Sequence, residues 1–562
     1  MRKLYTQHGE ALTGQPWQTY PRPQLRRDSF LNLNGLWEFA VSRSEALPEV
    51  YDRQIRVPFA PESLLSGLDC HFGEHDLLYY RRAFTLPGGF QKARVLLHLG
   101  AVDQRCSVFL NGIPVGSHVG GYLPMTFDIT NVLQLENTLV VRVQDDLHST
   151  ILPYGKQTLK RGGMWYTPVS GIWQTVWLES VPETYIRSLH IENCGSSVTI
   201  DTGNAALSGT VRVKDLGDYP LTEGKVTIAP DVPHLWSPED PYLYEFIAEA
   251  GEDRVESYFA LRTLETKLVD GVPRLCLNGK PYFFHGLLDQ GYWSDGLFTP
   301  AEPICYEEDI RAMKRLGFNT LRKHIKVEPE QFYYDCDRLG MVVFQDMVNN
   351  GPYSFLRDTA LPTVGVQRLQ DKKRHPNAAQ REAFLRAMEE TVRHLRNHPC
   401  ICYWTIFNEG WGQFDSTAAY RRLKAIDDTR WIDSTSGWFR CGESDVESLH
   451  IYFKPLRFKP ADKPLVLSEF GGYSFKLQEH AFNPDRTYGY GKFAEREPFV
   501  QALRQLYTEQ VAPAVKAGLC AAIYTQVSDV EDETNGLLTY DRRVCKVAEE
   551  ELLPLAELLR LD

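Results

Sequence analysis

The 562-residue chain lacks a long hydrophobic run, and no stretch approaches the roughly 20 apolar residues that a membrane-spanning helix needs. It also lacks a basic cluster of the kind that follows a phosphate backbone, and its net charge of −12 argues against nucleic acid as a partner. The N-terminal residues contain no apolar segment typical of a secretion signal. These absences predict a cytoplasmic protein that binds neither membranes nor nucleic acids.

The 11 cysteines include no CxxC pair, and an odd number of scattered cysteines argues against a disulfide framework or a zinc ribbon. Cys400 and Cys402 alternate within one apolar run, which is typical of packed, reduced thiols. We therefore predict neither a metal centre nor another cofactor.

The chain is too long for a single hydrophobic core, so two to four domains are expected. Residues 1–182 consist of short β-rich runs broken by turn residues such as Asn111-Gly112, a pair that favours tight hairpins. This alternation predicts a jelly-roll β-sandwich. Residues 183–265 form a second β-rich block without a helical period, which fits a small immunoglobulin-like sandwich.

The pattern changes near residue 266, where apolar strands begin to alternate with amphipathic helices. The predicted strands are Tyr282–Leu288, Asn319–Ile325, Met341–Met347, Cys400–Asn408, Trp431–Ser436, Ser448–Phe453, Leu465–Ser468 and Ala521–Gln526. The predicted helices are Tyr306–Leu316, Pro329–Leu339, Gln380–Arg396, Thr417–Ile426, Val500–Lys516 and Val544–Leu561. This count predicts a (β/α)₈ barrel over residues 266–562, with irregular crossovers after the fifth and sixth strands.

Two glutamates stand at the ends of two of these strands. Glu409 ends the fourth strand and precedes a glycine, and Glu469 ends the seventh strand and precedes Phe-Gly. Because the active sites of such barrels lie at the carboxyl ends of the strands, the two carboxylates are predicted to face a common centre. Such a pair suits glycosidic bond cleavage, with Glu409 as the acid/base and Glu469 as the nucleophile.

Other strand ends carry polar or aromatic residues that we predict to contact the substrate. Asn408 is predicted to bond the sugar 2-hydroxyl, and Arg322 and Tyr452 to keep Glu469 ionised. The other predicted polar contacts are His324, Asp289, Asp346, His450 and Asp529. The aromatic residues predicted to stack on a sugar ring, with core packing as the competing explanation for each, are Trp293, Trp411, Trp438 and Tyr524.

Several motifs together resemble glycoside hydrolase family 2, which includes β-galactosidases, β-glucuronidases and β-mannosidases. They extend over almost the whole chain and are Leu33–Trp37, Val108–Gly112, Gly171–Val176, Leu235–Tyr244, Phe259–Thr263, Phe407–Glu409 and Ser468–Gly471. The resemblance implies a sugar-binding jelly roll, an immunoglobulin-like domain and a catalytic barrel. It also implies exo action on a carbohydrate with retention of configuration, and it leaves open whether the chain forms a homo-oligomer.

The region after the eighth strand bears on the sugar. β-Glucuronidases of this family hold the uronate with an Asn-x-Lys motif there, whereas Asn535 has no lysine two residues on. Four acidic residues precede Asn535 and are expected to repel a uronate: Asp529, Glu531, Asp532 and Glu533. This favours a neutral sugar, and family frequency suggests β-galactosidase-like specificity. The magnesium-binding pattern of some family galactosidases is not recognisable after Glu409, so no metal is predicted.

Three alternatives remain. An enzyme with another sugar, either a uronidase acting on glucuronate or galacturonate or a glycosidase acting on mannose or arabinose, would keep the fold and the chemistry. A catalytically inactive carbohydrate-binding relative would be expected to have lost one carboxylate, and this chain retains both. A metal-dependent barrel hydrolase typically needs a His-x-His pair on the first strand, where His285 stands alone.

Overall fold

The protein is described by a computed structural model over residues 1–363, 366, 371–452, 454–458 and 461–561. The predicted architecture, two β-sandwiches followed by an eight-stranded parallel barrel, is confirmed. No helix in these ranges is both long and apolar enough to cross a lipid bilayer.

The first sandwich packs a six-stranded sheet against a four-stranded sheet. The strands of the larger sheet, in spatial order, are Arg53–Val57, Gly35–Ser42, Leu77–Phe84, Asn137–Gln144, Arg105–Leu110 and Ile113–Val119. Those of the smaller sheet are Leu31–Asn32, Val176–Val181, Arg94–Leu99 and Met125–Asp128, and a short ladder joins Val102–Asp103 to Gly171–Ile172. Alternation explains the packing, because Trp37 and Phe39 are buried between the sheets while Leu36 and Glu38 face solvent.

The second sandwich has a three-stranded and a four-stranded sheet. The smaller sheet contains His190–Asn193, Val198–Asp201 and Lys225–Ile228, and the larger contains Gly217–Leu221, Gly209–Val213, Tyr244–Ala250 and Asp253–Phe259. A small antiparallel sheet of Leu264–Val269, Val272–Leu277 and Lys280–Pro281 then leads into the barrel.

The eight barrel strands are numbered β1 to β8 in chain order. They are β1 (Phe284–Asp289), β2 (Thr320–Lys323), β3 (Val342–Asp346), β4 (Ile401–Asn408), β5 (Trp431–Ser436), β6 (Glu447–Ile451), β7 (Leu465–Phe470) and β8 (Leu519–Tyr524). The parallel ladder runs in the order 5-4-3-2-1-8-7-6, and the side chains of Ser436 on β5 and His450 on β6 meet at 2.7 Å. Every residue of β4 is buried, as expected for a parallel strand covered on both faces.

Helices surround the barrel much as the hydrophobic period predicted. The α-helices of the described chain are Gln7–Ala11, Ile304–Arg315, Glu330–Leu339, Leu361–Thr363, Ala378–Leu395, Ser416–Lys424, Arg496–Gln505, Ala512–Lys516 and Glu549–Glu557. The π-helical turns are Leu356–Ala360 and Leu506–Val511, and the 3₁₀ turns are Thr130–Val132, Asp371–Lys373 and Gln478–His480. A two-stranded parallel ribbon of Tyr473–Phe475 and Tyr490–Phe493 follows β7.

Some predicted boundaries differ from the observed ones. The last helix begins at Glu549 rather than Val544, because the backbone N–H and C=O of Val544 bond to Thr539 in a turn. Strand β8 lies two residues earlier than predicted. The crossovers after β5 and β6 contain no helix in the part of the chain that the structure describes, and Phe453, the predicted end of the sixth strand, lies outside that part.

A loop of the first sandwich, residues 154–167, reaches the carboxyl ends of the barrel strands, here called the barrel mouth. At one end of this mouth loop, the N–H groups of Tyr154 and Gly155 donate to the carbonyl of Asn349, after β3. At the other end, the N–H of Thr167 donates to Glu531, after β8, at 2.8 Å. The first sandwich therefore supplies one wall of the barrel mouth.

Candidate active site

Glu409 follows the last residue of β4 in a sharp turn. Its φ is +54°, a left-handed conformation that is uncommon for a residue with a side chain, and Gly410 follows with φ +75°. A β-carbon at position 410 would lie 2.1 Å from a ring carbon of Phe439, so glycine is required there. The Glu409 N–H donates to the carbonyl of Ser436 on β5. This turn directs the carboxylate of Glu409 into the barrel mouth, where its side chain is 18% exposed.

Glu469 lies within β7 and is nearly buried, with its side chain 6% exposed. Nη1 of Arg322 donates to its Oε1 at 3.0 Å, and the hydroxyl of Tyr452 donates to its Oε2. Burial opposes ionisation of Glu469, but His450, Arg322 and His324 together with the Tyr452 hydroxyl outweigh it and hold its pKa well below the usual range. The carboxylate of Glu469 is thus kept ionised.

His450, on β6, stands between the two glutamates. Its Nδ1 lies 2.8 Å from Oε1 of Glu409 and 3.5 Å from Oε2 of Glu469. Its Nε2 lies 2.7 Å from the hydroxyl of Ser436 and 3.3 Å from Nη1 of Arg322. Both groups near Nε2 can donate, which favours the tautomer with the proton on Nδ1, directed toward Glu409. His450 therefore orients the carboxyl group of Glu409.

The two carboxylates are close enough to act on one atom. One oxygen from each, together with a ring nitrogen of His450, lies within 4.8 Å of the others. Retaining glycosidases place their two carboxyl groups about 5 to 5.5 Å apart, whereas inverting enzymes leave about 6.5 to 9.5 Å for a water molecule. An approach of two oxygens to within 4.8 Å is closer than the inverting arrangement needs, and it favours the retaining one.

Arg322 connects Glu469 to three strands. In addition to Glu469, its guanidinium donates to Asp346 on β3, to Asn408 on β4 and to the carbonyl of Ser468 on β7, all at 2.9–3.0 Å. Asp346 also bonds Nδ1 of His324 at 2.7 Å, and burial chiefly lowers the pKa of His324. This network fixes the positions of Asn408 and Glu469 around one buried cation.

Aromatic rings form a second side of the site. The ring of Tyr452 stacks on that of Tyr490 with a centroid distance of 4.0 Å, and Tyr488 lies next to Tyr490 at 6.1 Å. Trp438, which is partly buried, meets His450 edge to face at 6.0 Å. Trp438 is thus near the carboxylates, as predicted, and its stacking on a sugar stays a prediction.

Asp289 does not join the two glutamates. It pairs in register with Lys323, whose ammonium donates to it at 2.6 Å and lies 4.2 Å from the ring of Phe332 in the helical layer. Because side chains alternate along a strand, Lys323 points away from the face that carries Arg322 and His324. The prediction that Asp289 contacts the substrate is therefore not supported by its position.

Asp529 and Tyr524 also lie away from the two glutamates. Asp529 is buried. Its carboxylate accepts hydrogen bonds from the ammonium of Lys546 at 2.6 Å and from the N–H of Gly536 at 2.9 Å. Tyr524 is buried against Phe470, and its hydroxyl accepts from the N–H of Tyr473. These contacts are structural, and neither predicted substrate contact is supported.

Two further tryptophans named from the sequence prove to be packed. Trp293 is 3% exposed and lies under the guanidinium of Arg542, and Trp411 is 3% exposed and donates to the carbonyl of Gly351. Core packing, the competing explanation, accounts for both.

The sequence pattern did not identify several residues at the barrel mouth. Tyr490 begins the second strand of the ribbon after β7, and Tyr488 precedes it by two residues. Glu533 follows β8 and was identified only as part of the acidic run there. The charge of Glu469 raises the pKa of Glu533 further, in addition to the larger effect of burial. Lys156 and Trp165 come from the mouth loop, about 200 residues or more before the carboxylates, and nothing in their local sequence marks them as part of a site.

Glu409, His450 and Glu469 carry the ligand types that a metal ion needs and lie within suitable reach of one another. However, Glu469 already binds the guanidinium of Arg322 and the hydroxyl of Tyr452. A cation here would be repelled by Arg322, so the donor set fits an acid–base pair better than a metal centre.

Tyr452 provides a test of how Glu469 is kept ionised. Tyr452→Phe removes the hydroxyl but keeps the ring that stacks on Tyr490. Because the lost hydrogen bond helps to lower the pKa of Glu469, its removal raises that pKa, and Glu469 is protonated at a higher pH as the pH falls. We expect the acid limb of the kcat/KM profile to move about one pH unit upward. Tyr488→Phe is the matched control, and an unmoved limb in Tyr452→Phe would contradict the assignment.

Comparison with known families gives three matches along the chain. Residues 65–162 match a domain described as "Glycosyl hydrolase 2 galactose-binding domain-like", residues 189–262 match "Glycosyl hydrolases family 2", and residues 269–471 match "Glycosyl hydrolases family 2, TIM barrel domain". The three matches follow the order of the two sandwiches and the barrel.

Individual relatives carry two kinds of name. The chain is 25% identical over 477 residues to a β-glucuronidase of Felis catus, covering 74% of this chain and 68% of that protein. It is 25% identical over 390 residues to a β-galactosidase of Thermoanaerobacter pseudethanolicus, covering 63% of this chain and 48% of that protein. The fold is similar to that of a β-D-glucuronidase of Dictyoglomus thermophilum, with a TM-score of 0.72, 18% identity, and coverage of 96% and 98% of the two chains.

Proposed function

Because the chain belongs to glycoside hydrolase family 2, we propose that it hydrolyses terminal β-linked sugars by a retaining, two-step mechanism. One observation carries this proposal: a carboxylate oxygen of Glu409 and one of Glu469 lie within 4.8 Å of each other at the barrel mouth. The unequal surroundings of the two groups support the division of labour, because only Glu469 is bonded to a guanidinium.

In the first step, Glu409 donates its proton to the leaving oxygen while Glu469 attacks the anomeric carbon. The bond between that carbon and the leaving oxygen breaks, and a glycosyl ester of Glu469 forms. In the second step, Glu409 takes a proton from water, the water oxygen attacks the same carbon, and the ester bond breaks. Two inversions at one carbon leave the product in its original β configuration.

The surrounding residues hold this geometry. His450 directs Glu409, and Arg322 holds Glu469 beside the amide oxygen of Asn408. The amide nitrogen of Asn408 then remains available for the sugar 2-hydroxyl, a contact that strengthens in the transition state of such reactions. The mouth loop covers one side of the barrel mouth, which favours a pocket for a single terminal sugar and hence exo action.

The acidic residues after β8 do not, as a group, decide between a neutral sugar and a uronate. The preference for a neutral sugar depended on four acidic residues after β8, but three of them have cationic partners: Lys546 for Asp529, and Arg161 for both Glu531 and Asp532. Glu533 is the one whose pKa is raised by the charge of Glu469, in addition to the larger effect of burial. It favours a neutral β-galactoside-like sugar through hydrogen bonds to hydroxyls, whereas the names of the β-glucuronidase relatives favour a β-uronide.

The test is a panel of 4-nitrophenyl β-glycosides that pairs each neutral sugar with its uronic acid: glucose with glucuronate, and galactose with galacturonate. Release of nitrophenol, with the β product seen first by NMR, supports the retaining mechanism. A first product with the α configuration, or no turnover of any substrate, would refute the proposal.

A further inference from the structure

Lys156, in the mouth loop, is held in an unusual place for a lysine. It is 9% exposed, although lysine is almost never buried without a partner. Among the residues that the structure describes, its ammonium makes neither a hydrogen bond nor an ion pair, and it lies 5.7 Å from the centre of the Trp165 ring. The ammonium is not among the fully buried polar atoms that lack a partner, so it keeps contact with solvent at the barrel mouth and is available to an anionic group of a bound molecule.

The backbone around Lys156 is firmly placed. The N–H of Gly155 donates to the carbonyl of Asn349, and a β-carbon at position 155 would lie 3.0 Å from the carbonyl oxygen of Ile325, just beyond β2. The carbonyl of Lys156 accepts from the N–H of Tyr166 at 3.1 Å. Trp165, which packs edge to face against Tyr353 and Trp411 at 4.8 and 5.0 Å, provides the ring beside the ammonium. The stem of Lys156 is thereby fixed at the barrel mouth.

The charge of Lys156 acts on groups of the active site. Burial chiefly lowers the pKa of His324, and the charge of Lys156 lowers it further. Burial raises the pKa of Glu533, and Lys156 opposes that rise. His324 and Glu533 follow β2 and β8, on either side of β1, so Lys156 lies above this part of the barrel and near the nucleophile side of the site.

We propose that Lys156 binds the carboxylate of a terminal β-linked uronic acid and thereby makes the enzyme selective for uronides over neutral glycosides. This inference rests on the proposed glycosidase function. An ammonium and a carboxylate form a charge-assisted hydrogen bond, which is stronger than the bond of the same ammonium to a sugar hydroxyl. The selective group would come from the first sandwich rather than from the loop after β8.

Glu533 counts against a uronide, because its carboxylate would repel the carboxylate of the sugar. However, its carboxyl already accepts the hydroxyl of Tyr166 at 2.5 Å and the amide of Gln526 at 2.9 Å. Burial and the charge of Glu469 shift Glu533 toward its protonated form. These two bonds direct Oε2 of Glu533 toward Tyr166 and Gln526, and the ammonium of Lys156 is a positive charge that opposes repulsion of a uronate.

Lys156→Met tests the inference, because methionine keeps an unbranched apolar stem and removes the charge. We expect kcat/KM for the preferred uronide to fall about 10- to 100-fold, and kcat/KM for its neutral partner to change by less than about threefold. Lys160→Met is the matched control, since Lys160 is an exposed lysine of the same loop. Lys156→Arg should restore part of the uronide activity.

Three results would count against the inference in different ways. Hydrolysis of neutral glycosides but not of uronides by the native enzyme would overturn it and leave the proposed function intact. An equal loss of kcat/KM for the uronide and its neutral partner in Lys156→Met would show that Lys156 has only a structural role. Failure of the native enzyme on the whole panel would refute the proposed function and the inference together.

Discussion

Glu469→Gln should reduce kcat/KM for every substrate of the enzyme by about 10⁴- to 10⁶-fold, the scale seen when a catalytic nucleophile is removed. Glutamine has the same shape, and its amide oxygen can still accept from Arg322. The carboxylate charge is lost, however, so no ester with the anomeric carbon forms. Initial rates with an activated nitrophenyl glycoside measure the effect.

The same variant separates chemistry from folding. An activated 2-deoxy-2-fluoro glycoside should label native Glu469, because the fluorine slows hydrolysis of the ester, and mass spectrometry of peptides locates the adduct. Glu469→Gln should take no label while unfolding at a similar temperature. Glu479→Gln, an exposed glutamate that follows the same strand, should behave as the native enzyme does. More than about 1% residual kcat/KM in Glu469→Gln, or label on another residue, would contradict the assignment.

The sequence was sufficient to predict the barrel and the two carboxylates because their signals are local. Strand β4 is a continuous apolar run that stops at Asn408-Glu409-Gly410, and β7 is a similar run around Glu469. Parallel strands of a barrel carry their carboxyl ends to one mouth, so the meeting of these residues follows from the strand count. The same rule predicted Arg322, His324, Asp346 and His450 at this mouth, where the structure places them, and their contacts with a substrate stay predictions.

A position at the end of a strand did not suffice where the face of the strand or the path of a loop decides whether a side chain lies near the two glutamates. Asp289 ends a strand as Asp346 does, but Lys323 holds it on the side of the helical layer. Tyr524 ends β8 yet is buried beside Phe470. Alternation distinguishes the two faces of a strand only when its first residue is known, and the predicted start of β8 was two residues late.

Residues from other parts of the chain left no local signal. Lys156 reaches the barrel mouth because the sandwich packs on the barrel, and Tyr490 because the ribbon after β7 folds back over Tyr452. For the acidic run after β8, by contrast, the local sequence gave a signal that was too strong, because it did not show the distant partners of these residues. Its four charges looked additive in the sequence, but Arg161 and Lys546 offset two of them. Specificity was therefore the least predictable feature.

Glu409→Ala should have an effect that depends on the leaving group. Loss of a general acid costs about 10²- to 10⁴-fold when the leaving oxygen needs a proton, as in a natural glycoside. A dinitrophenolate leaves without a proton, so the first step should remain fast for that substrate. The second step then lacks its base, and the glycosyl ester of Glu469 should accumulate, visible as a burst of dinitrophenol followed by slow turnover.

Azide then distinguishes Glu409 from Glu469. Alanine leaves space beside the sugar where Glu409 stood, and azide needs no base to attack the ester. It approaches from the side opposite to Glu469, so the product should be a β-glycosyl azide and the turnover of the dinitrophenyl substrate should rise with azide concentration. Attack in place of Glu469 would instead give an α-glycosyl azide. Glu409 would not be the acid/base if the product were the α-azide, or if good and poor leaving groups lost activity equally and azide gave no rescue. Only a proton donor on the leaving-group side produces both the leaving-group dependence and the β-azide.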